Sequence, residues 1–248
     1  MTEKTTEPRA AWMLATLRSH PLLASLDDAA LATLVNAGTT QALRSKRTFL
    51  RDGGVADTVY FLLTGAVRIY HRDGKSSEVL LKLLRAPAMF GEIEVIAKRA
   101  YVENVSTIED SQVLGVPAAV FRVLLTRYPD FCSAVLADVA NRFCVAAINI
   151  KAVAFADVRM RLAALLLDYA ALAGKPGPAG EVIDAAVSQE SLARDLAVSR
   201  KAVQNAMAEL QRRGFMAKHA GRYVIADRPG LESVANLRAG LTYSSASK

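Results

Sequence analysis

Cysteine, histidine and tryptophan are all scarce in this 248-residue chain, which has two, three and one of them. Two thiols cannot build a disulfide framework. Cys132 and Cys144 fall twelve residues apart in one predicted helix, which separates them by about 18 Å and puts them out of bridging range. Nor can they hold an iron–sulfur cluster, which takes four ligands. His20, His71 and His219 lack metal-site spacing, so no metal is expected and each reads as a surface or loop residue. Long apolar runs are missing too: charge interrupts every stretch well short of the roughly 18 residues of a membrane span. The opening MTEKTTEPRAAWM is mixed in charge with no apolar signal core, so the expectation is a cytoplasmic protein with no membrane partner. A catalytic constellation is absent. Glu92, Glu94 and Glu103 share one segment without a histidine or metal site beside them, and the thiols have no basic neighbour in sequence. The chain is therefore read as not an enzyme.

What is present is ample core material. Hydrophobic residues make up 52%, and the length suits one large domain or two modest ones. The net charge is +7, from 31 basic and 24 acidic residues. That mild excess is compatible with nucleic-acid binding without specifying it. From Asp157 onward there are 13 Lys/Arg against 9 Asp/Glu, which is +4, so the other +3 lies upstream and charge alone does not single out the C-terminal part.

The texture of the chain changes three times. After a lead-in with a short helix around Trp12–Leu17, Asp27 and Asp28 are N-cap candidates for a helix running to Ala37 and stopped by Gly38. From about Thr39 to Val116, short β-rich runs alternate with turn residues at Asp52-Gly53-Gly54, Thr64-Gly65, Asp73-Gly74 and Ala86-Pro87. That spacing suggests a small antiparallel barrel or jelly roll, with a hairpin tip at Tyr70–Lys75. Pro117 then opens a helical region in which Leu136, Val139, Phe143, Ala146, Ile150 and Val153 follow a strict 3,4,3,4,3 spacing. This narrow a/d seam is the pattern by which a helix meets an identical helix, so a homodimer is expected. Asp157 caps a further helix, and Gly174–Gly180 reads as a loop by composition.

Residues 188–215, SQESLARDLAVSRKAVQNAMAELQRRGF, carry the strongest functional signal. Ser188 caps a first helix with Leu192 and Leu196 inward. Ala197-Val198 make a tight turn, and Ser199 caps a second helix with Val203, Met207 and Leu210 inward. Two short helices around a turn of this length form a helix-turn-helix. Arg200, Lys201, Gln204 and Asn205 stand near the start of the second helix, where long cationic and amide side chains can read base edges in a major groove. Ser188, Gln189 and Ser199 lie at helix starts, where backbone N–H groups can meet phosphates. Gly214–Ile225 reads as a hairpin wing with Lys218 and Arg222 near its tip as phosphate contacts. One detail departs from habit: the turn holds Ala197 where glycine is common, a left-handed alanine costing on the order of 1 kcal/mol.

Taken together, these residues resemble the Crp–Fnr (cyclic-AMP receptor-like) family from about His20 to Ile225. The landmarks are Gly53, Gly65 and Gly74, the segment Pro87-Ala88-Met89-Phe90-Gly91-Glu92, the helix AFADVRMRLAALLLDYA and the motif SQESLARDLAVSRKAV. The resemblance implies an α+β chain: a lead-in over 1–20, an effector-sensing, cyclic-nucleotide-binding-like β-roll over 21–130 and a dimerisation helix over 131–156. A winged helix-turn-helix follows over 157–227 and an extension of unknown role over 228–248. It implies a bacterial homodimer on a palindromic operator of double-stranded DNA with half-sites about 34 Å apart, a hinge at Phe155–Asp157, and RNA polymerase as a candidate partner.

The departures from the family bear on the effector. Tyr101 and Val102 stand where cyclic-AMP binders have the Arg-Ser pair that holds the phosphate, and Ala146 and Ala147 stand where the long helix offers Thr-Ser to the adenine. Losing a charge-assisted hydrogen bond of roughly 1.5–3 kcal/mol argues against cyclic AMP, leaving another effector, a different cyclic nucleotide or a cyclic dinucleotide such as cyclic di-GMP, or no effector at all. Gly91 and Glu92 keep family positions, Glu92 that of a ribose hydroxyl acceptor. Lys98 and Arg99 are either substitute cations or solvated loop charges, Tyr101 offers a ring for stacking, and Arg142 lies on the long helix near the site. In the reading helix, Lys201 replaces a family Glu and Asn205 a family Arg, so the operator should differ from a TGTGA-type half-site. A rival reading keeps the sensor roll but gives the C-terminal domain a protein partner instead of DNA.

Overall fold

The computed structural model describes residues 7–73, 77–155, 157–185 and 187–235. Gly74 and Lys75 of the expected hairpin tip, the side chains of Ala147, Ile150, Val153 and Phe155, and the tail 236–248 lie outside the described residues. By internal contacts the chain divides into two units, Met1–His71 with Leu81–Asn141, and Arg72–Leu80 with Arg142–Lys248.

The first unit is a β-roll with helices beside it. Helix α1 (Glu7–Arg18) is followed by a single 3-10 turn (Pro21–Leu23) and α2 (Asp28–Ala37). Of the two aspartates, Asp27 is the cap: its side chain accepts from the Ala30 N–H at 2.7 Å. Eight strands follow: β1 (Thr39–Leu43), β2 (Thr48–Leu50), β3 (Thr58–Thr64), β4 (Ala66–Asp73), β5 (Ser77–Arg85), β6 (Ala88–Phe90), β7 (Asn104–Thr107) and β8 (Ser111–Pro117), with α3 (Glu92–Ala97) between β6 and β7. They form two sheets in the orders β1-β8-β3-β6 and β2-β7-β4-β5, the two-layer jelly-roll arrangement expected of short antiparallel strands. Strands β1 and β6 and helix α3 are additions to the sequence reading. β1 (TTQAL) is largely polar because only one end of it is buried, so it lacks the apolar alternation that marks a strand.

Two cores result. Met13, Leu17, Leu31, Leu34, Phe61, Leu114, Phe121, Phe131 and Val135 pack the helices onto one sheet, and Leu50, Leu62, Val67, Ile69, Phe90, Tyr101, Val105 and Val113 fill the roll. Gly65 turns the chain from β3 to β4 at φ +86°, and a Cβ there would lie 2.2 Å from Ser111 Oγ, so no other residue fits. His20 corrects an expectation. It is buried, its Nδ1 accepts from the Leu22 N–H at 3.2 Å, and its ring meets Phe61 edge-on. His71 and His219 are exposed as expected.

Helix α4 (Ala118–Arg127) leads into α5 (Pro129–Phe155), the long helix the heptad spacing predicts. Both cysteines lie on α5, exposed and unbridged.

The second unit holds α6 (Val158–Ala173), β9 (Gly174–Gly177), β10 (Gly180–Ile183), α7 (Gln189–Asp195), α8 (Arg200–Arg212), β11 (Met216–His219), β12 (Arg222–Ile225) and α9 (Arg228–Ala235). Its sheet runs β11-β12-β10-β9. The 174–180 segment is thus not a plain loop: Gly177 pairs with Gly180 across a two-residue turn, and Pro176 is tolerated because β9 is an edge strand. Helix α9 buries Leu231 and Ala235, and Arg228 ties it to Glu181 of β10 at 2.6 Å. The first part of the supposed C-terminal extension therefore belongs to this unit.

Candidate nucleic-acid interface and sensor site

Helix α8 is sharply two-faced. Val203, Ala206, Met207 and Leu210 are buried, whereas Arg200, Lys201 and Asn205 are exposed and Gln204 is half-buried. Ser199 caps the helix by accepting from the Ala202 N–H at 3.1 Å, as its position in the sequence predicts. Ser188 caps α7 in a reciprocal box with Ser191: its Oγ accepts from Ser191 N–H at 3.0 Å, and its own N–H donates to Ser191 Oγ at 2.8 Å. Gln189 is half-buried on the first turn of α7. The free ends of both helices and the exposed face of α8 therefore lie together in one unit.

The turn between α7 and α8 takes the predicted strained form, with Ala197 at φ +51°. Helix α6 grips that turn through contacts that short-range sequence patterns do not reveal. Arg161 donates to the Leu196 carbonyl, and the Tyr169 hydroxyl donates to Asp195 Oδ2 at 2.7 Å in a buried site. Burial lowers the Arg161 pKa below the usual guanidinium value. At the start of α6, Arg159 pairs with both Asp157 and Glu209 of α8, and Asp157 caps α6 by accepting from Met160 N–H at 2.8 Å. Residues on α6 thus hold both the turn before α8 and α8 itself. Asp195 is a buried acid near the end of α7, a residue type that takes a polar partner when buried.

The wing, β11 and β12, closes through Ala220 (φ +48°) and Gly221 (φ +81°), a two-residue turn between the paired residues His219 and Arg222. Lys218 is exposed, with Nζ 5.8 Å from the centre of the Tyr223 ring. Arg222 is exposed too but ion-paired with Asp184, which also pairs with Lys175.

In the roll, the segment expected to meet an effector is divided between surface and interior. Lys98 and Arg99 are exposed, Val102 is half-buried, and Glu92 is fully buried. Tyr101, expected to offer its ring to a base, is instead buried at 6% exposure, and its hydroxyl donates to the Thr58 carbonyl. Burial pushes its phenol well above the ordinary tyrosine range. On α5, Ala146 is exposed and Arg142 is half-buried. Of the expected seam, Leu136 and Phe143 are 67% and 74% exposed, while Val139 leans on the core of the first unit. No cluster of metal-ligating side chains occurs among the described residues, and none of their helices is long and apolar enough to cross a membrane.

Comparison with known proteins agrees with this division. A cyclic nucleotide-binding domain model matches residues 40–128, and a Crp-like helix-turn-helix domain model matches residues 160–234. The chain is 25% identical over 183 residues to the global nitrogen regulator of Synechococcus elongatus, covering 72% of this chain and 82% of that protein. It is 24% identical over 180 residues to the CRP-like cAMP-activated global transcriptional regulator of Mycobacterium tuberculosis, covering 73% and 80%. Among solved structures, the c-di-GMP-responsive global regulator CLP of Xanthomonas campestris superposes with a TM-score of 0.69 at 18% identity, covering 81% of this chain and all of that one. A Crp/Fnr-family regulator from Eubacterium rectale does so with a TM-score of 0.69 at 16% identity, covering 87% and 97%.

Proposed function

The chain belongs to the Crp–Fnr family of DNA-binding transcription regulators, with an effector-type β-roll domain and no enzymatic role, and on that premise we propose that it works as a homodimer on a two-fold symmetric operator. The observation that carries this reading is the pair of faces on α8: four apolar residues buried on one side, and Arg200, Lys201 and Asn205 exposed at the start of the other. An arginine can hold a guanine edge and an asparagine an adenine edge through paired hydrogen bonds. Ser188, Gln189, Ser199, Lys218 and Arg222 supply phosphate contacts, with Arg222 exchanging Asp184 for phosphate.

The exposure of Leu136 and Phe143 supports dimerisation along α5, since two large apolar side chains seven residues apart share one helix face. The hinge belongs at Phe155–Asp157, between the end of α5 and the cap of α6. Cyclic AMP is not the effector in this reading. Tyr101 and Val102 offer no cation in the places of the Arg-Ser pair, the Tyr101 hydroxyl is engaged with the Thr58 carbonyl, and Ala146 and Ala147 offer no partner to a base. The matched proteins themselves differ in the effector their names carry, cAMP in one and c-di-GMP in another.

Selection from random-sequence DNA should recover a palindrome with half-site centres about 34 Å apart. In mobility-shift titrations, Arg200→Ala should weaken binding to that site by about 1–3 kcal/mol and leave bulk DNA binding nearly unchanged. An equal loss on both would overturn the base-reading role.

A further inference from the structure

The side chain of Tyr101 lies between two glycines. A Cβ built on Gly91 would stand 3.3 Å from Tyr101 Cε1, and one built on Gly54 would stand 3.6 Å from Tyr101 Cδ2. Gly91 is the residue just before α3, and its φ of +81° already favours glycine. The backbone of Tyr101 is tied down as firmly as its ring. Its N–H donates to the Gly54 carbonyl at 2.9 Å, its carbonyl accepts from the Gly53 N–H at 2.8 Å, and its hydroxyl donates to the Thr58 carbonyl. An aromatic group adjoins it: Phe90 stacks on Tyr60 at 5.5 Å, and Phe49 meets both edge-on at 5.6 and 5.9 Å. The segment that would close over an effector is therefore already closed on the loop before β3, and an aromatic ring of the chain itself covers Gly91.

From this arrangement we propose that Tyr101 is the roll's built-in occupant, holding the sensor closed so that the wild-type protein binds DNA without a diffusible effector. The inference rests on the family reading of the roll and goes beyond it by naming what fills the site. A ring on Gly91 excludes a phosphate from that spot, because two sets of atoms cannot share it. The Thr58 carbonyl already accepts from the phenol, so that acceptor is engaged within the chain. Lys98 and Arg99 are then solvated surface charges, consistent with their exposure.

The test uses the full-length protein and three readouts. In calorimetry, cyclic AMP, cyclic GMP and cyclic di-GMP at millimolar concentration should give no binding heat with the wild type, and none of them should change its operator affinity. Tyr101→Ala should lose about tenfold or more in operator affinity, in the range of an ordinary coupling between sites. p-Cresol, the size of the missing side chain, should restore it and leave the wild type unaffected, as apolar cavities accept matching aromatics. Tyr101→Phe keeps the ring and should bind DNA as the wild type does. Nucleotide binding to the wild type at micromolar concentration overturns the proposal, and so does a Tyr101→Ala protein that binds the operator undiminished without p-cresol. Should Tyr101→Ala fail to fold, the wild-type titrations and Tyr101→Phe still decide. A wild type that bound no operator DNA by itself would also overturn the proposal, and binding restored by one of the nucleotides would leave the DNA-binding reading of the C-terminal unit standing.

Discussion

Ala197 shows how a single backbone angle carries cost and function together. Its φ of +51° makes the turn that sets α8 against α7, and a left-handed alanine costs roughly 1–2 kcal/mol relative to its preferred conformation. Glycine is free of that strain but loses about 0.5–1 kcal/mol through the entropy of its unfolded state. Ala197→Gly should therefore raise stability by roughly 0.5–1 kcal/mol, visible as a higher denaturation midpoint at unchanged slope. A fall in midpoint would mean that the methyl group makes a contact worth more than the strain. Tyr101 has a counterpart at alkaline pH. Its phenol is raised in the folded state, so folding favours the protonated form. That contribution is present below the unfolded value near 10 and is lost as pH climbs through and beyond it. Tyr101→Phe has no proton to lose and should flatten the decline in melting temperature above pH 10, measured against the wild type across the same buffers.

At the scale of the element, α5 is two helices in one. Its first turns bury Phe131 and Val135 in the core of the first unit, while Leu136 and Phe143 face outward. An exposed leucine or phenylalanine gains roughly 1.5–3 kcal/mol on full burial. Because a two-fold interface repeats each residue, Phe143→Glu should weaken a dimer by at least about 3 kcal/mol, or roughly a hundredfold. Sedimentation of the variant should show monomers at concentrations where the wild type is dimeric, and an unchanged profile would move the interface off this face. The same logic of partners explains α6, which reads as a simple amphipathic helix. Its decisive residues are Arg161 and Tyr169, and they act on the carbonyl of Leu196 and the carboxylate of Asp195.

For the whole molecule, affinity for DNA should be set by counterion release as much as by base contacts. Each phosphate neutralised contributes about −0.9 to the slope of log affinity against log salt, so paired subunits using Lys218 and Arg222 on each wing should show steep salt sensitivity. Lys218→Ala should lower that slope by about 1 per subunit and weaken all sequences alike. Salt titrations of the wild type and the variant on operator and on scrambled DNA check both points. If the loss were confined to the operator, Lys218 would be reading sequence and not phosphate.

Much of this protein was determined along the chain itself, wherever a feature depends on neighbours a few residues away. The caps Asp27, Asp157, Ser188 and Ser199, the inward stripe of Val203, Met207 and Leu210, the wing hairpin and the left-handed Ala197 are all local, and local periodicity and turn chemistry reveal them. The tertiary structure alone decided what happens between distant segments. It paired β1 with β8, turned the glycine-proline loop into an edge hairpin, buried His20 against Phe61 and set Tyr101 between Gly54 and Gly91. Whether a ring meets a ligand or a glycine depends on which segments fold together across dozens of residues, and no spacing within one segment contains that information.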